Sequence, residues 1–293
     1  MQSVFPSVSV IVPTYGRPGF LLGAIESVLQ QTLKPHEIII VDDCSPVDLS
    51  ATIKQVDSTI SYHRLPENRG ANFARNYGVR VATGELVAFL DDDDEWFIDK
   101  LERQSALLQS RSDAEACLCG WRKQKKAGGG NHRRNERVHP FSEVRPEHLL
   151  RGNVICGMSG LVARREVMLA EQFDEVLPNG QDWDMYIRLS MRAPIAYVSA
   201  ALFMYRFGLH DSISLANTTE TLEHTKTRLL VLDKHRAWMG EKNYRDRLAV
   251  YILRFVLKRP DRLQVIRYSL FRAGILATLK DLWGKASERI GIT

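Results

Sequence analysis

ELVAFLDDDDEW, residues 85–96, runs from an apolar segment straight into four consecutive aspartates, and this junction decides the fold. Residues 86–90 (LVAFL) are a short continuous apolar run, as expected of a strand buried on both faces of a parallel sheet. The carboxylates begin at Asp91, at the carboxyl end of that strand. Toward the N-terminus, residues 8–12 (VSVIV) form a β-branched run stopped by Pro13. Residues 20–31 follow with Leu21, Leu22, Ile25, Val28 and Leu29 on one helical face. Residues 37–41 (EIIIV) give a second buried strand, with Asp42 and Asp43 at its end. Residues 60–65 read as a third strand, and residues 71–81 as a helix opening after Asn68, Arg69 and Gly70. The order βαβαβαβ predicts an α/β fold: a Rossmann-like, mostly parallel central sheet flanked by helices.

In open α/β sheets ligands bind beyond the carboxyl ends of the strands, where loops vary and helix amino termini point at the site. Three strands here end in polar residues: Pro13 to Arg17, Asp42 to Ser45, and the aspartate quartet. They are expected to converge in one cleft. The GxGxxG fingerprint and the Walker A loop are both missing after the first strand, which removes the main support for NAD and P-loop readings.

Four adjacent carboxylates in a partly dry place repel one another and cost stability unless a cation compensates. A divalent metal is the simplest compensation. Asp91 and Asp93 stand two apart, so both can approach one hard cation where the strand turns into a loop, and oxygen ligands favour Mg²⁺ or Mn²⁺ over zinc. Such a metal is suited to bridging a diphosphate leaving group, which points to a nucleotide or nucleotide-sugar site. The competing reading is an acidic loop capping a helix over 98–108, with Asp94 or Glu95 near its start.

The 293 residues carry 40 Lys and Arg against 35 Asp and Glu, a formal charge of +5, with 44% hydrophobic residues. These values exclude collagen, wholesale disorder and a polytopic membrane protein. Four cysteines are too few for a disulfide framework; Cys117 and Cys119 alternate in the strand-like run ACLCGW and read as core thiols. Residues 1–10 lack a secretory pattern, so the expected location is the cytoplasm. The longest apolar stretch, 193–205, is too short to span a bilayer. The charge is uneven: residues 226–293 hold 16 Lys and Arg against 6 Asp and Glu, leaving −5 for residues 1–225. This basic part shows helical spacing at Leu248, Ile252, Phe255 and Val256 and again over 264–283. It suits an anionic membrane surface, such as the inner face of the plasma membrane, or a helical cap on the main domain. No nucleic-acid motif accompanies it. A second basic run, 122–137, reads as a loop between two strands.

Four segments taken together carry a resemblance: VSVIVPTYGRPGFLLGAIESVLQQT, EIIIVDDCSPVD, ENRGANFARNYGVRVATGELVAFLDDDDEW and GLVARREVMLAEQFDEVLPNGQDWDMYIRL. In this order the chain resembles the family 2 glycosyltransferases of the GT-A fold, over about residues 5–215. The resemblance implies a catalytic domain over 1–215, with a nucleotide-binding half over about 1–95 and an acceptor half over about 96–215. A basic helical C-terminal region would then occupy 216–293. The activity implied is metal-assisted transfer of a sugar from a nucleotide diphosphate, typically UDP, with inversion at the anomeric carbon.

Position by position, the resemblance implies that Pro13, Thr14, Tyr15 and Arg17 line the nucleotide pocket. Asp42 or Asp43, with Asp43 preferred, would accept a hydrogen bond from the base. Asn68, Gly70, Arg75 and Asn76 fall in the segment near ribose and diphosphate, and Asp91 and Asp92 belong to the donor-facing set. Asp91 and Asp93 match the DXD element that holds Mn²⁺ or Mg²⁺, and His210, in a stretch similar to the family's YR…H…SIS, is a further metal candidate. Asp182 matches the general base, which removes the acceptor hydroxyl's proton as it attacks opposite the leaving diphosphate. Its other reading is a helix cap ahead of residues 185–191. Gln181 departs from the family's usual Glu there, and with Trp183 and Asp184 it makes up the acceptor set. Trp96, Trp121 and Trp183 either stack on sugar faces or pack in the core.

The expected function is hexosyl transfer to a sugar or lipid-linked acceptor in surface polysaccharide or glycolipid synthesis. The alternative is a non-catalytic nucleotide-sugar or glycan-binding module on the same fold. A nucleotidyltransferase would want a Gly-rich loop after the first strand, which residues 14–18 imitate poorly.

Overall fold

The computed structural model describes residues 5–124, 136–153, 155–206 and 221–290. The chain divides into two compact units, one of Met1–His148, Asn153–Glu175 and Met185–Leu209, the other of Leu149–Gly152, Val176–Asp184 and His210–Thr293.

The first unit is built on one mixed sheet. Its strands are β1 (Val8–Thr14), β2 (Glu37–Asp42), β3 (Ser61–Arg64), β4 (Leu86–Phe89), β5 (Glu95–Trp96), β6 (Ala116–Lys123), β7 (Glu136–Arg137), β8 (Glu143–Val144), β9 (Val162–Arg164) and β10 (Ile195–Tyr205). Their order is β3-β2-β1-β4-β9-β6-β10-β5, with β7 on β6 and β8 on β10. The first four strands of that path are parallel, and β9 runs antiparallel to both β4 and β6. Helices α1 (Pro18–Leu29), α2 (Ser50–Val56) and α3 (Ala71–Val81) make the crossovers, followed along the chain by α4 (Lys100–Ser110), α5 (Pro146–Leu149), α6 (Arg165–Glu171) and α7 (Gln181–Arg192).

Strands β1 and β4 are buried along their whole length, which is why they read as unbroken apolar runs rather than alternating ones. Helix α3 lies close on β1 because Gly78 has no side chain: a Cβ there would overlap the Ile11 side chain. Strand β1 continues through Pro13 to Thr14 rather than stopping at the proline, and α4 starts at Lys100. Asp99 precedes α4 and makes no side-chain cap, while Asp94 lies just before β5 and Glu95 within it, so the aspartate run is not a helix cap. Cys117 and Cys119 are fully buried in β6, and burial pushes their thiols up to about 12 and about 11, as core thiols require. Strands β6 and β7 flank the basic run, whose residues 125–135 lie outside the described residues.

The second unit holds α8 (Leu222–Lys234), α9 (Arg236–Ile252), α10 (Arg262–Arg272) and α11 (Ile275–Ile290), together with the first turn of α7. Leu248 and Ile252 are buried, as their spacing predicts, whereas Phe255 is exposed at a left-handed φ of 58°. The run 264–283 is two helices, broken at Gly274, whose φ of 88° an L residue rarely adopts. Among the described residues no helix is long and apolar enough to cross a membrane.

Candidate functional site

The sheet changes direction between β1 and β4: β2 and β3 extend it on one side and β4 on the other. Such a switch point leaves a crevice beyond the strand ends. Thr14 ends β1 beside Asp42 of β2, and the Asp43 N–H donates to the Thr14 carbonyl at 2.9 Å. The Thr14 hydroxyl donates to Asp92 Oδ2 at 2.7 Å, tying the end of β1 to the aspartates that follow β4. The three polar strand ends therefore meet.

Within the quartet the four carboxylates have different surroundings. Asp92 and Asp94 are buried, while Asp91 and Asp93 are partly exposed. Asp92 is held by Thr14 and by Arg17 at 2.6 Å, and burial, opposed by Arg17, pushes its carboxyl up to about 7. Asp93 pairs with the same guanidinium at 2.9 Å, and Asp91 pairs with the buried Arg75 at 2.7 Å. Asp94 accepts from the Ser159 hydroxyl at 2.6 Å and the Arg206 N–H at 3.2 Å, yet burial and the charges of Asp93 and Asp91 hold it well above the usual carboxylate range. Arginines thus carry part of the compensation that sequence reasoning assigned wholly to a cation.

One oxygen from each of Asp91, Asp93 and Asp94 lies within 4.8 Å of the others. Three hard oxygens at that spacing are a donor set that fits a hard divalent cation. His210, expected as a further ligand, lies outside the described residues.

Of the residues expected at the nucleotide, Pro13 and Thr14 are buried, Tyr15 is exposed and Arg17 is half-buried against the aspartates. Asp42 and Asp43 are both buried, and each oxygen accepts one hydrogen bond within the fold. Asp42 accepts from Ser45 N–H at 2.8 Å and the Tyr62 hydroxyl at 2.5 Å. Asp43 accepts from the backbone N–H groups of Arg69 at 2.8 Å and Gly70 at 2.7 Å, fixing the turn that opens α3. Gly70 makes this possible with a φ of 88°. Asn68 is exposed in the same turn. Arg75 reaches the aspartates from α3 and also touches Asn72. Asn76 departs from its expected place near the ribose. It is buried, accepting from Phe173 N–H at 2.7 Å and donating to the Phe173 carbonyl and Glu175, so it clamps α3 to the 173–175 segment.

The segment Gln181 to Asp184 forms the first turn of α7. Gln181 and Asp182 are partly exposed, and Trp183 and Asp184 are buried. Trp183 donates from Nε1 to the Leu149 carbonyl at 2.9 Å, and Asp184 is 2.8 Å from both Lys234 Nζ and His235 Nε2. These contacts correct the expected acceptor set: Trp183 is a core aromatic and Asp184 a buried ion-pair partner. The helix begins at Gln181, one residue too early for Asp182 to cap it, and Asp182 Oδ1 accepts the Trp183 N–H at 2.8 Å. Trp96 likewise packs, buried, with Nε1 on the Ser159 carbonyl, and Trp121 donates to the Ile155 carbonyl.

Ser159, Asp94 and Arg206 are the site residues that sequence reasoning missed. Asp94 could have been found by extending the Asp91–Asp93 pair one residue. Ser159, in the turn Met158–Gly160, carries no local signal.

A family model described as glycosyl transferase family 2 matches residues 9–173. TuaG of Bacillus subtilis (strain 168), whose name links it to teichuronic acid biosynthesis, is 43% identical over 112 residues, covering 37% of this chain and 44% of that protein. An uncharacterized glycosyltransferase of Rickettsia felis is 29% identical over 209 residues, 69% of this chain and 34% of that protein. The chain spans less than half the length of these two relatives. A Campylobacter jejuni protein named GalNAc(5)-diNAcBac-PP-undecaprenol beta-1,3-glucosyltransferase is 28% identical over 259 residues, 84% of this chain and 80% of that one. In fold, the chain matches the crystal structure of S. aureus TarS 1-349 in complex with UDP-GlcNAc at a TM-score of 0.63 and 17% identity, covering 97% of this chain and 92% of that one. The architecture is that of the GT-A glycosyltransferases.

Proposed function

This chain belongs to glycosyl transferase family 2, and we propose that it transfers a sugar from a nucleotide diphosphate to an acceptor hydroxyl in the synthesis of a cell-surface polysaccharide or glycolipid. The observation that carries the reading is the meeting of three strand ends at the carboxylates of Asp91, Asp93 and Asp94. UDP is the preferred nucleotide, supported by the UDP-GlcNAc complex of the structurally similar TarS. A lipid-linked acceptor is supported by the name of the Campylobacter relative.

Asp91 and Asp93, with Asp94, would hold Mn²⁺ or Mg²⁺. When bound, the ion neutralises the diphosphate as it leaves. Arg17 and Arg75 offset the charge of the carboxylates they pair with and are the cations available to phosphate oxygens. Tyr15 offers an exposed ring to the nucleotide, and Asp43, each of whose oxygens keeps a second lone pair, accepts from the base.

Asp182 is assigned as general base, taking the acceptor's proton during a single, inverting displacement. What supports it is its place in the family's segment and its partial exposure beside two buried neighbours. Gln181, its amide on the Pro178 carbonyl, is the remaining acceptor candidate. The catalytic part is assigned to 1–215 and the helical part to 216–293, whose excess of Lys and Arg favours attachment to an anionic membrane on its cytoplasmic face. The test is UDP-sugar turnover with Mn²⁺ in the chain and in Asp93→Asn and Asp182→Asn. Unchanged turnover in both removes the mechanism, and tight UDP binding without turnover on any acceptor replaces it with a binding module.

A further inference from the structure

Helix α11 presents one apolar face outward. Ile275, Leu276, Leu279 and Trp283 fall within about 100° of arc at helical spacing, and all four are exposed, Leu276 at 86% and Trp283 at 77%. The opposite face is the packed one: Ala277 and Thr278 are buried, and the Thr278 hydroxyl is 2.8 Å from the Ser269 hydroxyl of α10. At the end of α10, just before the Gly274 turn, Phe271 is 82% exposed. A protein in water rarely leaves this many large apolar side chains together on its surface without an occupant for them.

The charges around these residues indicate which occupant. Between 254 and 285 there are eight Lys and Arg and two acids. Four of the eight cations are spent in ion pairs: Arg259 with Asp261, Lys285 with Asp281, and Arg272 and Lys280 with Asp233 and Asp246 of the preceding helices. Arg262 and Arg267 are exposed and enter no ion pair among the described residues. A face that is apolar and cationic repels a second copy of itself. A polyanion such as nucleic acid would use the arginines and leave the apolar row wet. An anionic leaflet satisfies both, with acyl chains for the apolar row, headgroups for the arginines and the interfacial layer for the indole.

We propose that the α10–α11 turn is a membrane-inserting element, in which Phe271, Ile275, Leu276, Leu279 and Trp283 enter the headgroup and acyl boundary of an anionic bilayer while Arg267, on the Phe271 side of α10, meets lipid phosphates. This rests on the reading above that the acceptor lies at a membrane, and sharpens it from general charge attraction to insertion at named residues.

The experiment uses the full chain with vesicles of equal parts phosphatidylglycerol and phosphatidylcholine, vesicles of phosphatidylcholine alone, and anionic vesicles with brominated acyl chains. The wild-type chain is expected to pellet with anionic vesicles, to keep part of that binding at salt that screens surface charge, and to have its Trp283 fluorescence quenched by bromolipid. Trp283→Phe serves as the control for the other tryptophans. Phe271→Glu combined with Leu276→Glu, both at exposed positions, should cut the partition at least tenfold while leaving UDP-sugar hydrolysis and thermal melting unchanged. Equal pelleting of that double variant, or absence of bromolipid quenching, overturns the proposal. So does a wild-type dimer in sedimentation velocity that the double variant abolishes, since the face would then join two copies. A chain that inserts but never turns over a nucleotide sugar overturns the proposed activity instead.

Discussion

The Ser159 hydroxyl donates to Asp94 Oδ2 at 2.6 Å and accepts the Asp91 N–H at 3.1 Å, so one side chain from a distant turn holds both ends of the aspartate run. Without it the carboxylate cluster keeps its charges and loses its geometry. In Ser159→Ala, a buried carboxylate oxygen and a backbone N–H lose a partner, which costs roughly 1–3 kcal/mol. Mn²⁺ affinity, read by the loss of free-ion electron paramagnetic resonance signal, is expected to weaken by roughly three- to tenfold. Unchanged Mn²⁺ binding would show that Ser159 only supports the fold.

Asp184 is expected to matter for folding and not for the acceptor. Its buried carboxylate meets Lys234 and His235, and breaking such a group costs roughly 3–5 kcal/mol. Asp184→Asn should therefore lower the melting temperature by several degrees while the folded fraction keeps the wild-type KM for acceptor. A raised acceptor KM at an unchanged melting temperature would restore the contact that the sequence suggested.

How much of this was legible in the sequence depended on whether a feature was local. The buried parallel strands announce themselves as apolar runs, and the carboxylates at their ends are consecutive in the chain. Asn76 and Ser159 were not legible, since their partners lie 97 and 65 residues away. Trp183 and Asp184 misled because the phase of α7 alone decides which side of its first turn faces water. A buried aspartate is also uncommon enough that exposure is the natural expectation.

Lys100 gives a pH test. Its Nζ is buried without a hydrogen-bond partner, 4.1 Å from the centre of the Trp96 ring, and burial pulls it down from 10.5 to about 8. Between those two values the unfolded chain binds more protons than the folded one, so this group makes stability rise as pH climbs from about 8 to about 10.5. Lys100→Met removes that rise. It also relieves a buried charge, so the variant should be more stable at neutral pH by roughly 1–3 kcal/mol. Denaturant melts of both proteins across the window check it, and parallel pH profiles would mean that the ammonium is solvated after all.

Arg17 joins Asp92 and Asp93 through one guanidinium. Arg17→Lys keeps the charge but cannot bridge two carboxylates in the same way. The KM for UDP-sugar is expected to rise by about tenfold or more, since one charge-assisted bond is worth roughly 1.5 kcal/mol or more. An unchanged KM would show that the bridge from Asp92 to Asp93 does not support the donor site.

Release of UDP from a UDP-sugar in the presence of Mn²⁺, measured for the wild type, Asp93→Asn and Asp182→Asn with UDP binding measured in parallel, tests the central claim. Expected are turnover in the wild type, loss of turnover and of Mn²⁺ dependence in Asp93→Asn, and a fall of roughly 10²–10⁴ in Asp182→Asn with UDP binding intact. Wild-type rates in both variants would contradict it.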